Sequence, residues 1–154
     1  MHLMKPRLRD IAVEKAMSHP AITVAQDQSV QEAARLMRAS NIGCLPVVRD
    51  EMLIGIVTDR DIVMRLCADN HAADSITVSE LMSKNVSTCN ENCSLDFAVH
   101  EMERNGVRRL VVTDGAKITG LISTDDIAKF CNEPLAMAMT TIHENGRSRL
   151  RVVL

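Results

Sequence analysis

Gly55-Ile56-Val57-Thr58-Asp59-Arg60-Asp61-Ile62 and Gly120-Leu121-Ile122-Ser123-Thr124-Asp125-Asp126-Ile127 carry one pattern, 65 residues apart. Each stretch runs from a glycine through a β-prone apolar pair to a hydroxyl residue, with a carboxylate three positions later. Sliding the chain by 65 extends the match in both directions. Val13, Met17, Ser18, Thr23, Ser29, Ala33, Met37, Leu45 and Val47 fall on identical residues at 78, 82, 83, 88, 94, 98, 102, 110 and 112. With Gly55, Asp61 and Ile62 this makes twelve identities from 13 to 62, without a gap. Unrelated sequences of ordinary composition would give roughly three. A two-copy repeat is a pseudo-symmetric pair, and it settles the fold before any single element is read.

The repeat divides the chain into an arm (1–12), a first copy (13–68), a polar linker (69–77), a second copy (78–131) and an extension (132–154). Within each copy the periodicity changes in the same order. Val13–Met17 and Val78–Met82 read as short helical turns, and Thr77 with Glu80 has capping-box spacing. Ala21–Val24 and Val86–Cys89 are β-prone. Ser29 with Glu32 opens a helix whose apolar face is Val30, Ala33, Ala34 and Met37, echoed by Leu95, Ala98, Val99 and Met102 after Ser94. Cys44–Val48 with Leu53–Val57, and Leu110–Thr113 with Ile118–Ile122, read as hairpins. Last helices start at Thr58 and Ser123, with Ile62, Val63 and Leu66, and Ile127, Ala128 and Cys131, directed inward. Each copy is therefore β-α-β-β-α. Two helices cover one face of a three-stranded sheet, and packing two copies sheet to sheet covers the other. The expectation is an α+β fold with Leu45, Val47, Ile56, Val57, Leu110, Val112, Leu121 and Ile122 largely buried.

Composition narrows the function. The 154 residues are 46% apolar and 25% charged, with a net charge of −2, so nothing in the balance points to nucleic acid or an acidic membrane. No apolar run is long enough to span a bilayer, and the N-terminus lacks a signal-peptide core, which implies a cytoplasmic protein with five reduced cysteines. With no Trp or Tyr and two Phe, there is little to stack single-stranded bases.

Thr58-x-x-Asp61 and Ser123-x-x-Asp126 place a hydroxyl at a helix N-cap and a carboxylate in its first turn. Backbone N–H groups at such a terminus favour phosphate, and the carboxylate can accept from ribose hydroxyls. Arg60, Arg108 and Arg109 are forked donors for phosphate. The bland reading of both motifs is helix capping alone.

The ordered set resembles the cystathionine-β-synthase (CBS) domain, which occurs as tandem pairs called Bateman modules. The resemblance rests on Ala16-Met17-Ser18-His19-Pro20, Gly43-Cys44-Leu45-Pro46-Val47-Val48 and the closing stretch in the first copy. In the second copy it rests on Leu81-Met82-Ser83, Asn105-Gly106-Val107-Arg108-Arg109-Leu110-Val111-Val112 and the closing stretch, and it covers about residues 10–131. Val111 departs from it, standing where the first copy has Pro46. The resemblance implies a non-catalytic regulatory module of the stand-alone type. Such a module binds AMP, ADP, ATP or S-adenosylmethionine between the repeats, dimerises, and signals in trans to an effector protein. The rival is a ligand-free protein–protein scaffold. Carried onto this sequence, the ligand-binding residues are Thr23, Ile42, Cys44, Thr58, Arg60 and Asp61 in the first copy. In the second they are Thr88, Val107, Arg108, Arg109, Ser123, Asp125 and Asp126. The two sites should be unequal, because Arg108-Arg109 stands where the first copy has Gly43-Cys44.

The remaining candidates are weaker. Cys89/Cys93 and Cys67/His71 each have two-ligand spacing without a compact four-ligand set, so no metal is expected. Cys44 has no neighbouring histidine in sequence to activate it, and no catalytic residue is assigned. Met17, Met64, Met82 and Met102 are candidates for an adaptable dimer surface. In the extension, Asn145-Gly146 between two β-prone runs signals a hairpin.

Overall fold

Ser29 opens the first long helix of the computed structural model, which describes residues 7–131. Its Oγ accepts from the Glu32 backbone N–H at 3.1 Å, and Glu32 Oε2 accepts from the Ser29 N–H at 2.8 Å, closing a reciprocal capping box. The helix, α1 (Val30–Ser40), ends where Asn41 turns left-handed at φ 54°. Its counterpart α4 (Leu95–Asn105) is capped by Ser94 and ends at Gly106 with φ 63°. Phe97 stands where Glu32 would close the box, so only one half of the cap is made there.

Each long helix connects two neighbouring parallel strands. β1 (Val24–Ala25) lies parallel to β2 (Cys44–Arg49), which pairs antiparallel with β3 (Met52–Thr58). β4 (Thr88–Asn90), β5 (Arg109–Asp114) and β6 (Lys117–Ser123) repeat the arrangement. The result is two separate three-stranded sheets, each with its middle strand second in the chain. Both hairpins carry a register shift at the same place, between Val47 and Val48 and between Val112 and Thr113. The last helices follow directly. The first is a short turn, α2 (Asp59–Asp61), that continues as π-helix over Ile62–Cys67, whereas α5 (Thr124–Cys131) is α throughout.

The cores are two, and each borrows from the other copy. Val24, Val30, Ala33, Met37, Leu45, Val47, Val57 and Leu66 form one cluster, which is completed by Val78 and Leu81. Those two residues lie on α3 (Val78–Leu81), the opening turn of the second copy. Conversely, Ile11 and Val13 from the start of the chain complete the cluster of Cys89, Leu95, Ala98, Met102, Leu110, Val112, Ile122 and Ile127. Burial of each exchanged side chain contributes about 1.5–3 kcal/mol, so the exchange ties the copies together. Two short straps fix it. Ser18 and Leu121 exchange backbone hydrogen bonds of 2.9 and 3.0 Å, and Ser83 and Ile56 exchange two of 2.9 Å. The packing unit is thus offset from the sequence repeat: an opening turn belongs to the sheet of the other copy.

The period of two along β2 and β5 buries both faces of each sheet. Leu45, Val47, Leu110 and Val112 enter the helix-side clusters. Pro46 and Val111, one step out of phase, are also buried, Val111 with no exposed surface, on the face turned to the other copy. An apolar Val111 meets the same packing need there as Pro46.

Several expectations are corrected. Ile56 and Leu121 are half-buried: they lie on edge strands beside the straps, and Ile56 also lines an open cleft. The first strand of each copy is shorter and later than its β-prone stretch, beginning at Val24 and Thr88. Val63 is 59% exposed, and Cys131 is exposed as well. The methionine surface is mostly absent. Met102 is buried, Met17 and Met82 pack beside the cores, and only Met64 of the four is exposed. The hairpin read at Asn145-Gly146 lies outside the described residues.

Candidate nucleotide-binding cleft

Both Thr/Ser-x-x-Asp motifs form the same local structure at the end of the third strand of their sheet. Asp61 Oδ2 accepts from the Thr58 N–H and Oγ1–H, each at 2.9 Å, while Thr58 Oγ1 accepts from the Asp61 N–H at 3.1 Å. Asp126 Oδ2 accepts from the Ser123 N–H at 2.9 Å and Oγ–H at 2.6 Å, and the return bond is 3.2 Å. The motifs therefore cap their helices, and the capping occupies one carboxylate oxygen. Oδ1 takes no part in the cap of either aspartate. At Asp61 it is 3.3 Å from Nη2 of Arg65. At Asp126 no cation among the described residues forms an ion pair.

A cleft of about 830 Å³ opens between the copies, with one wall from each. Cys44, Ile56, Thr58, Asp59, Arg60, Val63 and Met64 line it from the first, and Gly106, Val107, Arg108 and Arg109 from the second. Arg60, Arg108 and Arg109 are exposed, and none makes an ion pair among the described residues. The acid in the wall, Asp59, accepts from the Arg60 N–H at 2.8 Å. Three guanidiniums against one carboxylate give the cleft a positive excess that suits phosphate.

The difference between the walls has a steric origin. The chain turns into each last helix through equivalent bonds, Asp59 N–H to Gly43 O at 3.0 Å and Thr124 N–H to Arg108 O at 3.1 Å. In the first copy the Asp59 carboxylate lies where a Cβ on residue 43 would stand, so glycine lets the carboxylate keep that position and any larger residue would turn it aside. In the second copy Thr124 replaces that carboxylate and an arginine occupies the equivalent of Gly43. Cys44 sits at the floor, 3% exposed. Burial pushes its thiol up to about 11, the Arg109 charge opposes this, and Asp59 and Asp61 add to it. A protonated thiol is a poor nucleophile.

The structure thus brings Cys44, Thr58, Arg60, Val107, Arg108 and Arg109 into one cleft; Asp61, half-buried, stands just behind its lining through its bonds to Thr58, and the other predicted residues lie elsewhere. Thr23 lines a second cleft of about 570 Å³ at the hairpin end, with Val48, Asp50, Glu51, Met52, Lys117 and Ile118. Ile42 packs against the first core. Thr88 is exposed on β4, and Asp125 is exposed on α5. Ser123 and Asp126 are half-buried at the start of α5, outside the lining of the shared cleft. Sequence reasoning missed Asp59, Val63 and Met64 as wall residues. It also missed an apolar groove of about 520 Å³ between α4 and α5, lined by Val99, Met102, Ile127 and Cys131 among others. The helix-face reading had turned Val99, Ala128 and Cys131 inward; Val99 and Cys131 are exposed along this groove.

Among the described residues, no group of three or more His, Cys, Asp or Glu is placed to hold a metal ion. Burial raises the Cys89 thiol to about 12, helped by its hydrogen-bonded neighbour Cys93. No described helix is long and apolar enough to cross a membrane.

Two exchanged β-α-β-β-α units around a shared cleft define a tandem, pseudo-symmetric domain pair. The CBS domain family model matches residues 8–68 and 78–133, and the chain belongs to that family. It is 36% identical over 137 residues to the CBS domain-containing protein YhcV of Bacillus subtilis, covering 87% of this chain and 97% of the relative. Its fold matches that of an uncharacterized conserved protein from Pyrococcus horikoshii with a TM-score of 0.73 and 26% identity, over 80% of this chain and 93% of the other. It also matches the CBS domain pair of protein MJ0100, solved in complex with 5′-methylthioadenosine and S-adenosyl-L-methionine. There the TM-score is 0.68 and the identity 30%, over 77% of this chain and 94% of that one.

Proposed function

We propose that this CBS pair is a cytoplasmic sensor that binds an adenosine-containing ligand between its copies and signals the occupancy to an effector protein. The observation that carries the reading is the shared cleft, in which Thr58 and Arg60 face Arg108 and Arg109 across the boundary between copies. A ligand spanning that boundary binds both walls at once. Where it binds one relative arrangement of the copies more tightly than another, it shifts them toward that arrangement, which is the minimum a sensor requires. The adenosyl ligands of the MJ0100 pair support the ligand class. In this reading Asp61, which caps the helical turn that Thr58 and Arg60 bring to the cleft wall, is the ribose acceptor beside the shared cleft, Asp126 plays the same part at a second position outside its lining, and the arginines take phosphate. The exposed apolar side chains Val63, Met64, Phe97, Val99 and Phe130 supply surface for self-association as a homodimer.

The scaffold reading has one observation in its favour: both aspartates are already engaged in capping their helices. Thermal denaturation in the presence of AMP, ADP, ATP, S-adenosylmethionine and 5′-methylthioadenosine separates the two. A ligand at 100 times its Kd adds about 2.7 kcal/mol, a shift of roughly 5–10 °C in Tm for a chain of this size. No shift with any of the five at millimolar concentration refutes the sensor.

A further inference from the structure

The two copies differ at one residue that touches both a candidate ribose acceptor and a strap. Arg65, on the π-helical turn of the first copy, makes three contacts. Its Nη2 lies 3.3 Å from Asp61 Oδ1 and donates to Ser83 Oγ at 3.0 Å, and its Nη1 donates to the Leu81 carbonyl at 2.8 Å. Leu81 and Ser83 form the end of α3 and the strap that the second copy lends to the first sheet. Arg65 therefore links the carboxylate of the first site to the segment that joins the copies.

In the second copy the equivalent position is Phe130, 43% exposed. The rest of the arrangement is kept: Ser18 stands for Ser83, and its strap makes the same two backbone bonds to Leu121. The helical winding differs as well. Ala68 N–H reaches back five residues to Val63 O at 3.2 Å, and His71 N–H reaches Leu66 O at 3.0 Å, the wider turn often found at functional positions.

The lone pairs of Asp61 decide the consequence. Oδ2 already accepts two bonds from Thr58, and Arg65 occupies one side of Oδ1. A ribose diol donates two hydrogen bonds. Both fit on Oδ1 of Asp126, whereas at Asp61 the second must displace Arg65. We propose that Arg65 is a positioning residue that makes the first site the weaker and the conformationally coupled one: a ribose on Asp61 competes with Arg65 and releases its hold on the Leu81–Ser83 strap. This rests on the ribose assignment made above.

Arg65→Met, which keeps the length of the stem, tests it in the full chain by two measurements. Amide hydrogen exchange without ligand should accelerate at Ser83 and Ile56 and stay unchanged at Ser18 and Leu121. Calorimetry with ATP in the Asp126→Ala background, which weakens the second site roughly ten- to hundred-fold and so separates it from the first, should show Arg65→Met binding roughly tenfold tighter at the first site, the value of one charge-assisted hydrogen bond regained. A purely structural arginine would loosen the strap and weaken binding, so the sign is decisive. Unchanged exchange at Ser83, or affinity equal to or below that of the parent, overturns the proposal. If ATP, AMP and S-adenosylmethionine all fail to bind the wild-type chain, the sensor reading falls and takes the ribose competition with it. Should Arg65→Met not fold, Arg65→Gln removes the same ion pair and must give both results.

Discussion

Gly120→Ala probes the strap that seats the opening turn of the chain on the second sheet. A Cβ on residue 120 would stand 2.7 Å from the Ser18 carbonyl oxygen and 2.8 Å from Met17 Sδ. The carbonyl is backbone and cannot rotate away. It is also an acceptor in the strap, bonded to the Leu121 N–H at 3.0 Å, while the Ser18 N–H donates to the Leu121 carbonyl at 2.9 Å. Moving the strap off the sheet weakens both bonds, at about 1 kcal/mol each, and overpacking adds about 1–3 kcal/mol. The expected cost is about 3 kcal/mol, or roughly 6–12 °C in Tm. Gly55→Ala supplies an internal control at the equivalent position. There the first atom met is Met82 Sδ, the far end of a flexible side chain, and the strap carbonyl of Ser83 stands back at 3.1 Å. That substitution should cost about 1 kcal/mol, because the thioether can swing aside. Urea denaturation of the full chain measures both. A Gly120→Ala loss below about 0.5 kcal/mol, or a larger loss at Gly55, would refute the argument that close backbone approach seats the strap.

Two further outcomes follow from side-chain environments. Glu80 caps α3 by accepting from the Thr77 Oγ1–H at 2.7 Å and N–H at 2.8 Å, and these bonds hold its carboxyl below the usual range. A depressed folded-state pKa stabilises above the ordinary carboxyl value, and that stability is lost as pH falls through the folded value. Glu80→Gln should therefore be less stable than wild type at neutral pH, with the gap closing below about pH 4; a gap that widens on acidification contradicts this. Brief iodoacetamide treatment at pH 8, read by peptide mass spectrometry, should modify the exposed Cys67 and Cys131. It should spare Cys44 and Cys89, whose thiols burial pushes up to about 11 and about 12. Rapid labelling of Cys44 in the folded chain would show the cleft floor to be open.

The repeat made the fold legible because its signals are local. A capping serine, a glycine before an apolar pair and a hairpin turn each act within a few residues, and each occurs twice in the same order. The exchange of opening turns was not legible. Val13 and Val78 are identical residues in identical patterns, and nothing local says which sheet a short turn will join. That choice is made by the straps, through backbone bonds between residues about a hundred positions apart in one case. The exposure of Val63 was hidden for a related reason: the helical face was read with a period of 3.6, and the first copy winds more widely over Ile62–Cys67. The candidate site divided in the same way. Thr58 with Asp61 and Ser123 with Asp126 pair within one turn, and their capping bonds form as their spacing implies. Asp59 was missed because its place in the cleft wall, packed against Gly43, depends on residues distant in sequence. Arg65 was missed because its partners at Leu81 and Ser83 lie in the other copy.

Isothermal titration of the full chain and of the Asp61→Ala/Asp126→Ala double variant with ATP, AMP and S-adenosylmethionine asks whether the two capping aspartates hold an adenosyl ligand. The account predicts saturable binding of at least one of the three to the wild-type chain. It also predicts affinity roughly ten- to hundred-fold weaker in the double variant, as expected for a lost charge-assisted acceptor at each ribose. Equal affinity in the two proteins, with the variant folded by circular dichroism, would contradict it.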